Sequence, residues 1–277
     1  MSIVIVNWNT TKLLEKLINS IEKYSSDIEH EIIVVDNNSN GFDAVDFKAR
    51  YHSVQLIANR KNYGYSKANN QGLRIAVGEY VLLLNPDIEI LENSIQTLIN
   101  YIENHQQAAC VAGKLIRPDG TIEKSLRSFP YPSSVFFDFI GLSKIFPNNR
   151  YLGKYRMTWF DYSSNIEVDQ PMASCLLIRR KALDSIGLFD ENFPIFFNDV
   201  DWLYRAKQWG YKVYFCADAT FIHYGGSSTK QINRRKQIDI SHDAMIKFYK
   251  KHFITRYGRP SVYIMCAFIW IGRYFRI

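Results

Sequence analysis

An alternation in the N-terminal third narrows the fold more than any other feature. Short, continuously apolar runs at residues 2–6, 31–35, 54–57 and 79–84 are separated by amphipathic or polar segments. Between the first two, Asn9, Thr10 and Thr11 offer a helix cap, and Leu13, Leu14, Leu17, Ile18 and Ile21 recur at helical spacing. A second helix is expected over 66–77. Strands that are apolar throughout are buried on both faces, so the pattern predicts a mostly parallel central sheet flanked by helices. Ligands of such sheets bind at the carboxyl ends of the strands. Three of those ends are polar: Asn7-Trp8-Asn9, Asp36-Asn37-Asn38 and Asn85-Pro86-Asp87.

Residues 122–169 are rich in aromatics and turn formers and show little periodicity, as connecting structure or a lid does. Order returns at 175–178 and 187–190, then as a helix near 199–208 and a strand at 211–215. No repeat, low-complexity tract or linker divides the chain.

Composition bounds the function. Hydrophobic residues at 47% against charged residues at 22% suit an ordered globular protein. Aromatics at 15% fill a core or stack on sugars. The net charge of +7 favours anionic partners, such as a nucleoside diphosphate or a membrane face. Basic residues are scattered until a C-terminal cluster, so no nucleic-acid partner is expected. Cys110, Cys175, Cys216 and Cys266 form no CxxC pair, which fits a reducing cytosol rather than a zinc site or disulfide framework. Met1 leads straight into a strand, so no signal peptide is expected, and no apolar stretch is long enough to span a bilayer.

Four features carry candidate chemistry, each with an ordinary structural alternative. Asp87, at a strand mouth, suits a hard divalent cation bound to phosphate oxygens, or a plain turn. Asp36, after a buried strand, suits a ribose or base, or a turn cap. Asp199, in Asn198-Asp199-Val200-Asp201, lies at a helix start, where the dipole favours its charge; it is a proton acceptor or an N-cap. His223 follows the last strand, in a segment that runs on through Gly225, Gly226, Ser227 and Ser228, and either completes a metal site or is structural. P-loop, GxGxxG, GxSxG and HExxH patterns are missing, which removes the ATPase, dehydrogenase, serine-hydrolase and zinc-protease readings.

In order, residues 2–9, 34–39, 62–70 and 83–87, Cys175 to Arg180, 187–191 and 196–201 resemble the family 2 glycosyltransferases of GT-A fold, in particular their rhamnosyltransferase-like branch. The resemblance covers roughly residues 1–230 and implies a GT-A catalytic domain there, with 231–277 as a helical appendage. It implies that Asp36, with Asn7 and Asn9 nearby, contacts the nucleotide, and that Asn69 and Asn85 border the donor. Asp87 would be the metal-binding acid, with His223 near the diphosphate, and Asp199 the catalytic base. The cofactor implied is Mg2+ or Mn2+. Departures are Asn85 for the first acid of the DxD motif, Asn198 for the acid before the base, Asn69 for an arginine, and Ala173-Ser174-Cys175 for Gly-Ala-Cys.

The expected reaction is transfer of a sugar, rhamnose from dTDP or another hexose from UDP, to a glycan or lipid-linked acceptor in cell-surface polysaccharide synthesis. A binding protein that has lost catalysis is the alternative, and Asn85 and Asn198 speak for it. A nucleotidyltransferase lacks its glycine-rich basic loop here. The protein is expected in the cytoplasm, peripheral to the inner membrane face. Residues 262–271 are apolar, contain Tyr263 and Trp270, and are flanked by Lys247, Lys250, Lys251, Arg256, Arg259, Arg273 and Arg276. Such a run lies in an anionic interface, or packs on the domain or a second copy.

Overall fold

A computed structural model describes residues 1–226 and 231–274. Ser227, Ser228 and Arg276 therefore lie outside the described residues. The N-terminal third folds as β1 (Ser2–Asn7), α1 (Thr11–Tyr24), β2 (Glu31–Asp36), α2 (Ala44–Arg50), β3 (Val54–Ala58), α3 (Tyr65–Ile75) and β4 (Tyr80–Leu84). The chain continues through β5 (Ile88–Ile90), α4 (Ser94–Glu103), β6 (Ala108–Ile116), β7 (Leu126–Arg127), α5 (Pro132–Phe139), α6 (Leu142–Ile145), β8 (Ile166–Glu167) and β9 (Gln170–Pro171). It ends with β10 (Cys175–Arg179), α7 (Arg180–Ile186), α8 (Asn198–Gln208), β11 (Lys212–His223), α9 (Arg234–His252), α10 (Ile254–Tyr257) and α11 (Arg259–Gly272).

A nine-stranded sheet runs in the order β3-β2-β1-β4-β10-β6-β11-β5, with β8 paired to β11. Successive side chains point to opposite faces. Val4, Ile33, Val81 and Leu83 therefore pack towards α3, α7 and α8, while Ile3, Ile5, Val34 and Leu82 pack towards α1 and α4. Both faces are covered, which is why the strands read as unbroken apolar runs.

The first half of the sheet, β3-β2-β1-β4, is parallel as expected. The second half is mixed, because β10 runs antiparallel to both β4 and β6. Apolar periodicity reports burial, not direction, so the sequence carries no signal for this reversal. Its consequence is functional: the start of β10 lies beside the end of β4, with Cys175 opposite Leu84.

Residues 122–169 are mostly irregular but are packed down. Leu126, Phe129, Phe160 and Tyr162 join the core, and the Tyr162 hydroxyl accepts the Leu126 N–H at 2.9 Å. The C-terminal segment is helical as expected and shares that core. Phe248 of α9 meets Phe197 and Tyr204 at ring separations of 5.7 and 5.4 Å. Each such pair adds about 0.5–1.5 kcal/mol beyond simple burial.

Candidate active site

The carboxyl ends of β1, β2 and β4 and the start of β10 share one edge of the sheet, and the expected residues gather there. On the β1–β2 side, Asn7 stands opposite Asp36 in the parallel register. Asn7 Nδ2 donates to Asp36 Oδ1 at 2.8 Å, and the Ser39 N–H donates to Asp36 Oδ2 at 3.0 Å. Asn7 is fully buried and Asp36 nearly so. Asn7 thereby fixes the orientation of the Asp36 carboxylate. Asn9 is partly exposed in the left-handed region at φ 55°. Its amide donates to Gln231 Oε1 at 2.9 Å and its carbonyl oxygen Oδ1 accepts the Asn40 N–H at 2.7 Å.

On the β4 side, Asp87 Oδ1 lies 3.3 Å from His223 Nε2, and His223 Nδ1 lies 2.6 Å from Glu123 Oε2. Burial opposes protonation of His223, but hydrogen bonds to Asp87 and Glu123 outweigh it and raise the imidazole to about 9. The Tyr224 N–H, donating to the Asp87 carbonyl at 2.9 Å, ties β11 to this loop. At neutral pH this imidazole keeps its proton and the Asp87 contact is an ion pair, so a divalent cation would have to displace the Nε2 proton; with that proton lost, the spacing suits one. Two cis ligands at about 2.1 Å from an ion lie about 3 Å apart, close to the observed pair. A carboxylate on the far ring nitrogen is the usual support of a metal-bound histidine. Among the described residues no group of three or more His, Cys, Asp or Glu is arranged to hold an ion unaided. Two protein ligands suit an ion that keeps water and phosphate oxygens in its remaining positions.

Tyr65 joins this side to Asp199. Its hydroxyl donates to Asn85 Oδ1 at 2.8 Å, and Asn85 Nδ2 donates to Ser174 Oγ at 3.0 Å. Burial raises the Tyr65 phenol far above its usual value, and the carboxylates of Asp199 and Asp87 both add to the shift. Asn69 Nδ2 donates to the Tyr65 carbonyl at 2.9 Å. Asn69 is almost fully buried and braces the Tyr65 backbone.

Asp199 sits in the first turn of α8, where its Oδ1 accepts the Val200 N–H at 2.8 Å. Burial pushes its carboxyl above the ordinary aspartate range, and the backbone hydrogen bonds from Val200 and Ala173 only partly offset this. The start of α8 is held to α3 from outside. Pro194 accepts the Tyr65 N–H at 2.6 Å, and Asn70 exchanges hydrogen bonds with the backbone of Phe189 at 2.9 and 3.0 Å. Gly64 is required at this contact. It has φ +85°, and a Cβ there would lie 2.9 Å from the Pro194 oxygen.

Glu123 and Tyr65 also belong to this cluster without standing out in the sequence, whereas Ser174 is the centre of the Ala173-Ser174-Cys175 departure. Tyr65 lies within a motif already noted. Glu123 comes from the aperiodic middle section, 100 residues from His223, and left no local signal.

A family model described as glycosyl transferase family 2 matches residues 2–187, more than half of the chain. The chain belongs to glycosyl transferase family 2. It is similar to the low-salt glycan biosynthesis hexosyltransferase Agl10 of Haloferax volcanii, at 26% identity over 80% of this chain and 66% of the relative. It is equally similar, at 26%, to the N-acetylglucosaminyl-diphospho-decaprenol L-rhamnosyltransferase of Mycobacterium tuberculosis, over 83% of this chain and 77% of that one. Rhamnosyltransferase WbbL of Escherichia coli also shares 26% identity, over 80% and 82% of the two chains. Among solved structures, the mannosyltransferase PcManGT from Pyrobaculum calidifontis in complex with GDP-Man and Mn2+ superposes with a TM-score of 0.60 at 14% identity, over 98% of this chain and 70% of that one. GalNAc-T7 with UDP, GalNAc and Mn2+ gives 0.60 at 17%, over 80% and 43%. These likenesses establish the GT-A fold of this family 2 enzyme.

Proposed function

We propose that the chain is an inverting glycosyltransferase that moves a sugar from a nucleoside diphosphate to a hydroxyl of a glycan or lipid-linked saccharide, in cell-surface polysaccharide synthesis. The observation that carries this reading is that Asp199, which accepts the Ala173 N–H just before β10, lies beside the end of β4 that leads into Asp87, since Asn85 bonds Ser174 and Cys175 stands opposite Leu84. Asp199 is the base. Its raised proton affinity suits it to take the acceptor proton as that oxygen attacks the anomeric carbon and the bond to the diphosphate breaks on the opposite face. A single displacement inverts the configuration. The transition state resembles an oxocarbenium ion, as in glycoside hydrolysis.

Asp36, held by Asn7 and Ser39, and the partly exposed Asn9 form the nucleotide end. Asp87 and His223, with Glu123 behind the imidazole, would hold Mg2+ or Mn2+. When bound, the ion supplies neutralisation of the leaving diphosphate. The names of the rhamnosyltransferase relatives support rhamnose as the transferred sugar, and the name dTDP-rhamnosyl transferase RfbF of a Shigella flexneri relative supports dTDP as its carrier, with a UDP-linked hexose next. The decaprenol-linked substrate named for one relative supports a lipid-linked acceptor, met at the cytoplasmic face of a membrane. Asn85 and Asn198, the positions that spoke for a non-catalytic protein, have structural tasks instead. Asn85 bridges Tyr65 to Ser174, and Asn198 accepts the Asp199 N–H at 2.7 Å while donating to the Ile195 carbonyl at 2.8 Å.

A thermal-shift panel of dTDP-rhamnose, UDP-glucose and GDP-mannose, with and without Mn2+, tests the proposal. At roughly a hundredfold excess over Kd the true donor raises Tm by about 5 °C, and more with the metal. No shift with any nucleotide sugar in either condition contradicts the reading.

A further inference from the structure

Helix α11 is apolar on two sides but covered on one. Val262, Cys266, Ile269 and Gly272 are buried against the body, while Tyr263, Ile264, Phe268 and Ile271 point outward. A helix that is hydrophobic all round belongs inside a protein or against lipid. The aperiodic middle section presents a matching surface. Phe136, Phe139, Ile140, Ile145 and Phe146, on α5, α6 and their ends, are between 44 and 65% exposed. The two surfaces adjoin. A Cβ placed on Gly272 would lie 3.2 Å from the Phe139 ring, and an apolar cavity of about 320 Å³ between α5, α9 and α11 is lined by Val135, Phe136, Phe139, Met245, Met265 and Phe268. Monomeric proteins seldom expose apolar area on this scale without a partner.

The rim identifies the partner. Residues 132–160 carry Lys144, Arg150, Lys154 and Arg156 against one acid, Asp138, which is buried on Arg156 at 2.6 Å. Beyond Asp243 the chain contains no Asp or Glu, yet it holds Lys247, Lys250, Lys251, Arg256, Arg259 and Arg273. Not all of these face outward: Lys251 turns inward to Asp190 and Asp201, and Arg273 pairs with Asp243 at 2.9 Å. Lys250 sits 5.5 Å from the Tyr263 ring, and Arg259 is exposed at the start of α11. Cations beside aromatic rings on an apolar face match the layering of a phosphate-rich interface above acyl chains. A second copy docked face to face would oppose two cationic rims.

We propose that α5–α6 and α11 form one composite face that seats on an anionic phospholipid bilayer. Helix α11, about 21 Å long, lies along the surface, and no described helix is long and apolar enough to cross a membrane. The face needs the middle section as much as the C-terminal run, which the run alone did not suggest. It stands independently of the transfer reaction.

The test is co-sedimentation of the full chain with phosphatidylcholine vesicles, with and without phosphatidylglycerol. The protein should bind the phosphatidylglycerol vesicles and be released by high salt. Ile145→Ser with Phe146→Ser, and separately Ile264→Ser with Phe268→Ser, should each weaken binding by about tenfold without lowering the melting temperature. Lys250→Glu with Arg259→Glu, which leaves the apolar surface intact, should remove the preference for the anionic lipid. Wild-type protein that stays in the supernatant, or an α6 double variant that binds like wild type, overturns the proposal. So does a dimer in sedimentation that the same apolar substitutions dissociate while vesicle binding is absent.

Discussion

Asp199 shows how one residue's surroundings set its chemistry. At a helix start an aspartate is normally stabilised as the anion, yet burial here wins and its carboxyl is raised above the ordinary range. As the proposed base Asp199 must be ionised to work, so the acid limb of the kcat/KM profile lies above the ordinary aspartate value of about 3.9. A pH–rate series checks this, and an acid limb at or below that value contradicts it. The acids at 36, 87 and 199 were legible because each interrupts an apolar or helical pattern. The hydrogen-bond partners of Asn7 and Asn69 were not legible, since they depend on how the backbone folds around each residue. A local string reports that an asparagine is present, not that Asp36 or the Tyr65 backbone has already used its amide.

At the scale of elements, a buried charge cluster joins α8 to α9. Two residues beyond Asp199, Asp201 is fully buried and bonds Arg205 at 2.9 Å, Lys251 at 2.6 Å and His252 at 2.7 Å. Burial works against its ionisation, but hydrogen bonds from His252 and Lys251 and the charge of Arg205 prevail and hold its carboxyl below the ordinary range. A depressed carboxyl binds fewer protons in the folded than in the unfolded protein. Its stabilisation is therefore complete above about pH 4 and is lost as pH falls through the folded value. Asp201→Ala should cost about 3–5 kcal/mol at neutral pH, because three cationic or polar partners lose their acceptor. Urea denaturation measures it, and a loss below about 1 kcal/mol would show that the junction is not held by this cluster. The sequence displayed the acid pair of α8 but not the partners, which lie 51 residues away in the case of His252.

Over the whole molecule, the parallel half of the sheet was readable from burial periodicity and polar strand ends, and the antiparallel β10 was not. That reversal sets Ser174 beside Asn85. The middle section gave no periodic signal because its core residues are spaced by turns, though it supplies both Glu123 and the α5–α6 surface. Asp87 and Asp199 are proposed to serve one reacting centre, and Asp199→Asn tests the role of Asp199 there most directly, through paired donor-binding calorimetry and turnover. The account predicts that donor affinity stays within about threefold while kcat falls by about a thousandfold. Tm should also rise, because a buried charge with a raised proton affinity is removed. Near-normal turnover in Asp199→Asn, or lost donor binding with an intact fold, would contradict it.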